Sequence, residues 1–146
     1  MKHVALALCL LVASFTSFAQ APKQTKNFKA FIREMKIAST ADSLHSQMKS
    51  VFMDEEPAPG KAFFKELKSR VSEKELTKAI APVITKHFSD AELGDIAAKM
   101  AAKTIKSDDF DRKPGFMTEL ATAIASWAAT AVDQMEEKLE KEQEEE

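Results

Sequence analysis

The chain has 146 residues, a length that suits one domain. Its 21 basic and 23 acidic side chains nearly cancel, so the charge is too mild for a nucleic-acid-binding surface. Its single cysteine, Cys9, lies in a segment that we predict is removed on export. The mature chain would then have neither a disulfide nor a thiol nucleophile.

The N-terminus has the pattern of a secretory signal peptide. Lys2 and His3 form a short basic start, residues 4–13 are uncharged and mostly aliphatic, and Ser17 and Ala19 stand where a signal peptidase reads small side chains. The apolar run is shorter than the roughly 17–25 residues of a transmembrane helix. We therefore predict a signal peptide at 1–19, export to the periplasm or the medium, and no transmembrane segment in the mature protein.

After a loose start at 20–26, a domain at 27–139 is predicted from helical spacing. Apolar residues recur at i, i+3, i+4 and i+7, the spacing of helices with one buried face. The run 39–42 is expected to separate the first two helices, and the Pro-rich loop 54–60 the next two. The four apolar stripes are Phe28, Phe31, Ile32 and Met35; Ala41, Leu44, Met48, Val51 and Phe52; Phe63, Phe64, Leu67 and Val71; and Leu76, Ile80, Val83 and Ile84.

Two pairs of residues have the spacing of a capping box, in which a Ser and a Glu side chain each bind the other's backbone amide. Ser72 and Glu75 are expected to open the fourth helix, and Ser89 and Glu92 the fifth. The apolar stripe of the fifth helix is Leu93, Ile96, Ala97 and Met100.

A sixth helix is predicted from about 116 to 139, before an acidic tail at 140–146. No charged residue lies between Glu119 and Asp133, and alanines recur every four residues at 121, 125 and 129. Such a helix favours a buried central position, and we predict that it pairs with the fifth helix as an antiparallel hairpin. The alternative is a homodimer through these Ala-rich faces. The predicted fold class is thus all-α, an irregular bundle of five or six helices.

The mature sequence shows no pattern that is typical of a catalytic or metal-binding site. Three scattered glycines cannot form a phosphate-binding loop. His45 and His87 show no zinc-binding spacing, and the run 108–111 lacks the positions of a calcium loop. We therefore predict no catalytic residue, no cofactor and no metal. The alternative is a hydrolase that uses carboxylates, with Glu73, Glu75, Asp90 and Glu92 as candidates.

The segment 81–93 resembles a motif of a known family. Its sequence includes Lys86, His87, Phe88 and Ser89, followed shortly by Glu92 and Leu93. It is similar to the central motif of a bacterial family of exported helical proteins, the domain-of-unknown-function family number twenty fifty-nine. The resemblance implies export, a helical fold and a bacterial origin, and it implies no activity.

The leading hypothesis for function is a non-catalytic binding or interaction protein. Phe63, Phe64 and Leu67 stand next to the Pro-rich loop and could line an apolar groove for a protein partner or an apolar ligand. The alternative is that these side chains form the core. The tail from Glu136 to Glu146 has seven glutamates and two lysines, and it either solubilises the protein or docks a basic partner.

Overall fold

The structure is a computed structural model that describes residues 24–144. The predicted signal peptide and its cleavage site lie outside these residues. Within them every regular element is an α-helix, which confirms the all-α class and the irregular bundle. The helices are α1 (Lys26–Glu34), α2 (Ile37–Met53), α3 (Lys61–Arg70), α4 (Glu73–His87), α5 (Asp90–Ala101), the short α6 (Ser107–Asp111) and α7 (Phe116–Glu144).

The first break in the chain lies earlier than the sequence predicts. Lys36 takes a left-handed conformation with φ of 56°, and it separates α1 from α2. Ser39 to Asp42 lie inside α2, so the predicted break at these residues is wrong. The turn at Lys36 places Ile37 in the core at 3% exposure, and burial of this large side chain outweighs the capping tendency of Ser39 and Thr40.

The apolar side chains form two clusters. The first cluster joins α1, the start of α2, α4, α5 and the start of α7. The second joins the end of α2, α3 and the second half of α7. Trp127 packs against both clusters, so α7 is the element that runs through the whole domain.

Helix α1 approaches α5 very closely at Gly94. A Cβ atom at this position would lie 2.8 Å from Cγ of Asn27. The Asn27 amide donates to the Asp90 carbonyl at 3.2 Å and to the Asp90 carboxylate at 2.9 Å. Thr25, the N-cap of α1, also donates to that carboxylate. The lack of a side chain at residue 94 leaves room for the Asn27 side chain that binds Asp90.

The predicted hairpin between α5 and the last helix is wrong. Helix α5 packs mainly on α1, whereas α7 packs on α4 and α3. Ala121, Ala125 and Ala129 are exposed, because the opposite side of α7 carries larger apolar side chains that release more free energy on burial. The exposed alanines stay available to a second copy, so the homodimer alternative stays a prediction.

Local capping patterns are largely confirmed. Ser89 and Glu92 form the complete capping box that opens α5. At α4, Ser72 accepts a hydrogen bond from the Glu75 amide at 3.5 Å, but the Glu75 carboxylate binds Lys78 at 2.7 Å instead of returning to residue 72. Among residues 24–144, none of the helices combines the length and the apolar character needed to cross a membrane.

Candidate functional site

An open groove lies near the C-terminal ends of α2 and α7. Helix α4 packs against both of these helices, but it begins only at Glu73. Glu75, in the first turn of α4, shares a cleft with Thr130 and Gln134, and α7 continues beyond them to Glu144. Beyond Gln134, α7 packs on α3, and so does the end of α2. The helices α2 and α7 form no extensive contact with each other there. The groove is the space left between them.

The floor of the groove is apolar. The groove has a volume of about 450 Å³ and is lined by residues of α2, of the turn after it, and of α7. Val51 is 63% exposed, although it belongs to the predicted core stripe of α2. Met48 and Phe52 on the same stripe are buried and reach the second cluster. The apolar lining is Leu44, Met48, Val51, Phe52, Val132 and Leu139.

The rim of the groove is acidic. Its charged residues are Glu55 on the α2 side and Glu136 and Glu140 on the α7 side, and none of the described residues that line it is basic. The lysines on this part of α7 bind other carboxylates: Lys138 donates to Glu66, and Lys141 donates to Glu137 at 2.6 Å. The groove therefore presents a negative potential above an apolar surface, which favours cationic groups and disfavours anions.

Ion pairs between α3 and α7 hold one wall of the groove in place. The Glu66 carboxylate accepts hydrogen bonds from Lys138 at 2.5 Å and from Arg70 at 2.7 Å, and Arg70 also donates to Gln134. The bond from Lys138, and then that from Arg70, lowers the pKa of Glu66. Because these side chains are partly exposed, their contribution is mainly to position α7 rather than to stabilise the fold.

The groove predicted from the sequence is corrected by the structure. Phe63 and Leu67 are fully buried at 0% exposure, and Phe64 is half-buried, so none of the three lines the groove. Phe63 packs edge-on against Phe52, with ring centroids 5.0 Å apart. Helix α3 is covered by α2 on one side and by α7 on the other, which buries Phe63 and Leu67 and covers part of Phe64.

The part of the site that sequence reasoning missed is its α7 wall. Val132, Glu136, Leu139 and Glu140 recur at i, i+4, i+7 and i+8, so they share one helix face. This spacing was a usable signal. The sequence places Glu136 and Glu140 in an acidic tail that either solubilises the protein or docks a basic partner, and nothing in the local pattern indicates that this face lies opposite the exposed edge of α2.

The family-like motif lies far from the groove, where α4 meets the start of α7. Lys86 donates to both carboxylate oxygens of Glu119, at 2.9 and 2.8 Å. His87 Nε2 lies 3.2 Å from the same carboxylate without the alignment of a hydrogen bond. Lys86, and to a lesser extent His87, lowers the pKa of Glu119. Phe88 is buried against Phe116, with ring centroids 4.8 Å apart.

The rest of the motif joins α5 to the segment before α7. The Glu92 carboxylate accepts hydrogen bonds from Lys113 at 2.6 Å and from the Ser89 amide at 2.7 Å, which lower its pKa to about 2. Lys113 also lies over the Phe88 ring, 5.3 Å from its centroid. Leu93 is buried. All six motif residues thus have contacts that shape the bundle.

The four carboxylates of the hydrolase alternative are not brought together. Glu73, Glu75 and Glu92 line three separate clefts, and Asp90 accepts hydrogen bonds from Asn27. A general acid needs a raised pKa, whereas the pKa of Glu92 is lowered. Within residues 24–144, no group of three or more His, Cys, Asp or Glu side chains could hold a metal ion.

Comparison with known proteins finds no match to this chain among protein-family models, curated proteins or solved structures. The resemblance to the family of exported helical proteins therefore stays a prediction from the motif.

Proposed function

We propose that this is an exported, non-catalytic helical protein that binds an apolar segment or ligand in the groove between α2 and α7. The observation that carries the proposal is Val51, which is 63% exposed on an apolar floor. Large apolar side chains that stay in water at a concave surface are typical of binding sites. Met53, at the end of the same helix, is also more than half exposed.

The composition of the groove supports binding rather than chemistry. Its volume of about 450 Å³ falls in the range of ligand sites, roughly 300–1,000 Å³. Among the residues that the structure describes, its polar lining is one amide and three carboxylates on the rim. Met48 in the floor has a flexible side chain that adapts to different apolar shapes.

Export is a part of the proposal that rests on the N-terminal sequence pattern and on the family-like motif. The all-α bundle without a cysteine in the proposed mature chain is compatible with that setting.

An uncharged apolar dye tests the proposal directly. A neutral naphthylamine dye that fluoresces in apolar surroundings should bind the mature protein saturably at one site. Val51→Glu should weaken this binding about tenfold or more, because the dye would desolvate a carboxylate. Both Val51 and the control position Met117 are exposed, at 63% and 55%, so neither substitution should affect folding.

Met117→Glu is the matched control, since it adds the same charge at a position that does not line the groove. Its dye affinity should equal that of the unaltered protein. Absence of saturable binding, or equal affinity of the two variants, would contradict the proposed function.

A further inference from the structure

We propose that the occupant of the groove is a basic amphipathic helix of a partner polypeptide, which lies along α2 and α7 and places its lysines and arginines against the acidic rim. This inference rests on the proposed function, because it names the partner class of the same groove.

The shape of the groove fits one helix. Its α2 wall runs from Leu44 to Phe52, or about 12 Å at 1.5 Å per residue, which is a little over two helical turns, and Glu55 follows in the turn after α2. Its α7 wall runs from Val132 to Glu140, or about 12 Å. Both walls are themselves helices, and α4, which separates them elsewhere, is absent from this end. A helix from a partner would lie between α2 and α7, in the position where a helical bundle normally has a further helix of its own.

The pattern of the floor also suits a helix. A helix with apolar residues at i, i+3 or i+4 and i+7 presents two or three side chains in a line, the usual mode by which amphipathic helices enter grooves. Leu44, Met48 and Val51 follow the matching spacing on α2. The same face continues to Phe52, whose ring reaches the core through Phe63.

The charges identify which amphipathic helix fits. Glu55 on one wall and Glu136 and Glu140 on the other flank the floor on both sides. Lysine and arginine side chains at the edges of an apolar helix face can lay their methylene stems on the floor and extend their charges to this rim. An acidic helix would face repulsion on both sides, and a neutral one would leave the carboxylates without partners.

The test uses calorimetry with synthetic 18-residue peptides of leucine and lysine. One peptide has its leucines on a single helix face, and a second has the same composition in scrambled order. The amphipathic peptide should bind at one site, and the scrambled peptide at least tenfold more weakly. Val51→Glu should weaken binding of the amphipathic peptide about tenfold, whereas Met117→Glu should leave it unchanged. Since Val51→Glu adds a negative charge, attraction that depends on net charge alone would instead strengthen binding.

The contribution of the rim is measured with charge-matched triple variants. Removal of the three rim charges should weaken binding at least tenfold and reduce its dependence on salt, while removal of three exposed charges elsewhere should not. The rim variant is Glu55→Gln, Glu136→Gln and Glu140→Gln, and the control variant is Asp42→Asn, Asp108→Asn and Asp111→Asn.

The outcomes separate the two proposals. Saturable, Val51-dependent dye binding without peptide binding would overturn the partner class and leave the apolar site standing. Equal binding of the scrambled peptide, or equal losses in the two triple variants, would likewise overturn the amphipathic helix. A dimer in sedimentation that Val51→Glu dissociates would overturn it as well. Failure of both the dye and the peptide would overturn the site itself.

Discussion

Substitution of Gly94 by alanine tests how α1 packs on α5. Glycine inside a helix is less favourable than alanine by about 1 kcal/mol, so helix propensity alone predicts that Gly94→Ala stabilises the protein. The structure predicts the opposite sign. The added Cβ would lie 2.8 Å from Asn27 Cγ and 3.0 Å from both Asn27 terminal atoms. The Asn27 side chain cannot move away freely, because its amide binds Asp90 twice.

The size of the effect follows from what must change to admit the methyl group. Loss or distortion of the two hydrogen bonds costs about 0.5–1.5 kcal/mol each. The three atoms nearest to the added methyl group all belong to the Asn27 side chain, so the helix itself does not have to move. After subtraction of the gain in helix propensity, we expect Gly94→Ala to lower the free energy of unfolding by up to about 2 kcal/mol.

Urea unfolding followed by circular dichroism measures this change, and a double variant isolates its cause. Asn27→Ala removes the three atoms that the new Cβ would meet. In that background Gly94→Ala should become stabilising, by up to about 1 kcal/mol. Ala98→Gly, on the exposed side of α5, serves as the control for propensity alone and should cost about 1 kcal/mol. The reasoning is refuted if Gly94→Ala stabilises the protein, or if its effect is the same with and without Asn27.

The remaining predictions concern the ends of α5 and α7. Hydrogen bonds from Lys113 and Ser89 lower the pKa of Glu92 to about 2 from an unfolded value near 4.5, so this carboxylate contributes stability above pH 4.5 that is lost as the pH falls towards 2. Glu92→Gln should therefore lower the melting temperature at pH 7. The difference in melting temperature between the variant and the unaltered protein should shrink as the pH falls from 4.5 towards 2, and a difference that stays constant would contradict this role of Glu92. Phe116→Ala should cost about 3–5 kcal/mol in urea unfolding, because the ring is fully buried. Met117→Ala should change stability by less than about 0.5 kcal/mol, because Met117 is exposed. Similar losses of stability in the two variants would contradict the difference in burial between Phe116 and Met117.

Local features of this protein could be read from its sequence because they depend on residues close together in the chain. Phe28, Phe31 and Ile32 recur at helical spacing and form the buried face of α1. Ser89 and Glu92 satisfy each other's backbone amides within one turn, so their capping box needs no distant partner. For the same reason the all-α class was predictable.

The partner of each helix, and with it the candidate site, was decided by tertiary structure. Helical spacing shows which face of α2 is apolar, but not which element covers it. Met48 is buried, and Val51 on the same stripe is exposed, because the helix that packs along α2 begins only at Glu73. The Ala-rich face of α7 was likewise predicted to be buried, and it is exposed because larger side chains on the other side of the helix compete better for the core. The groove arises because the helices end at different levels of the bundle. Those levels depend on contacts between residues that are distant in the sequence.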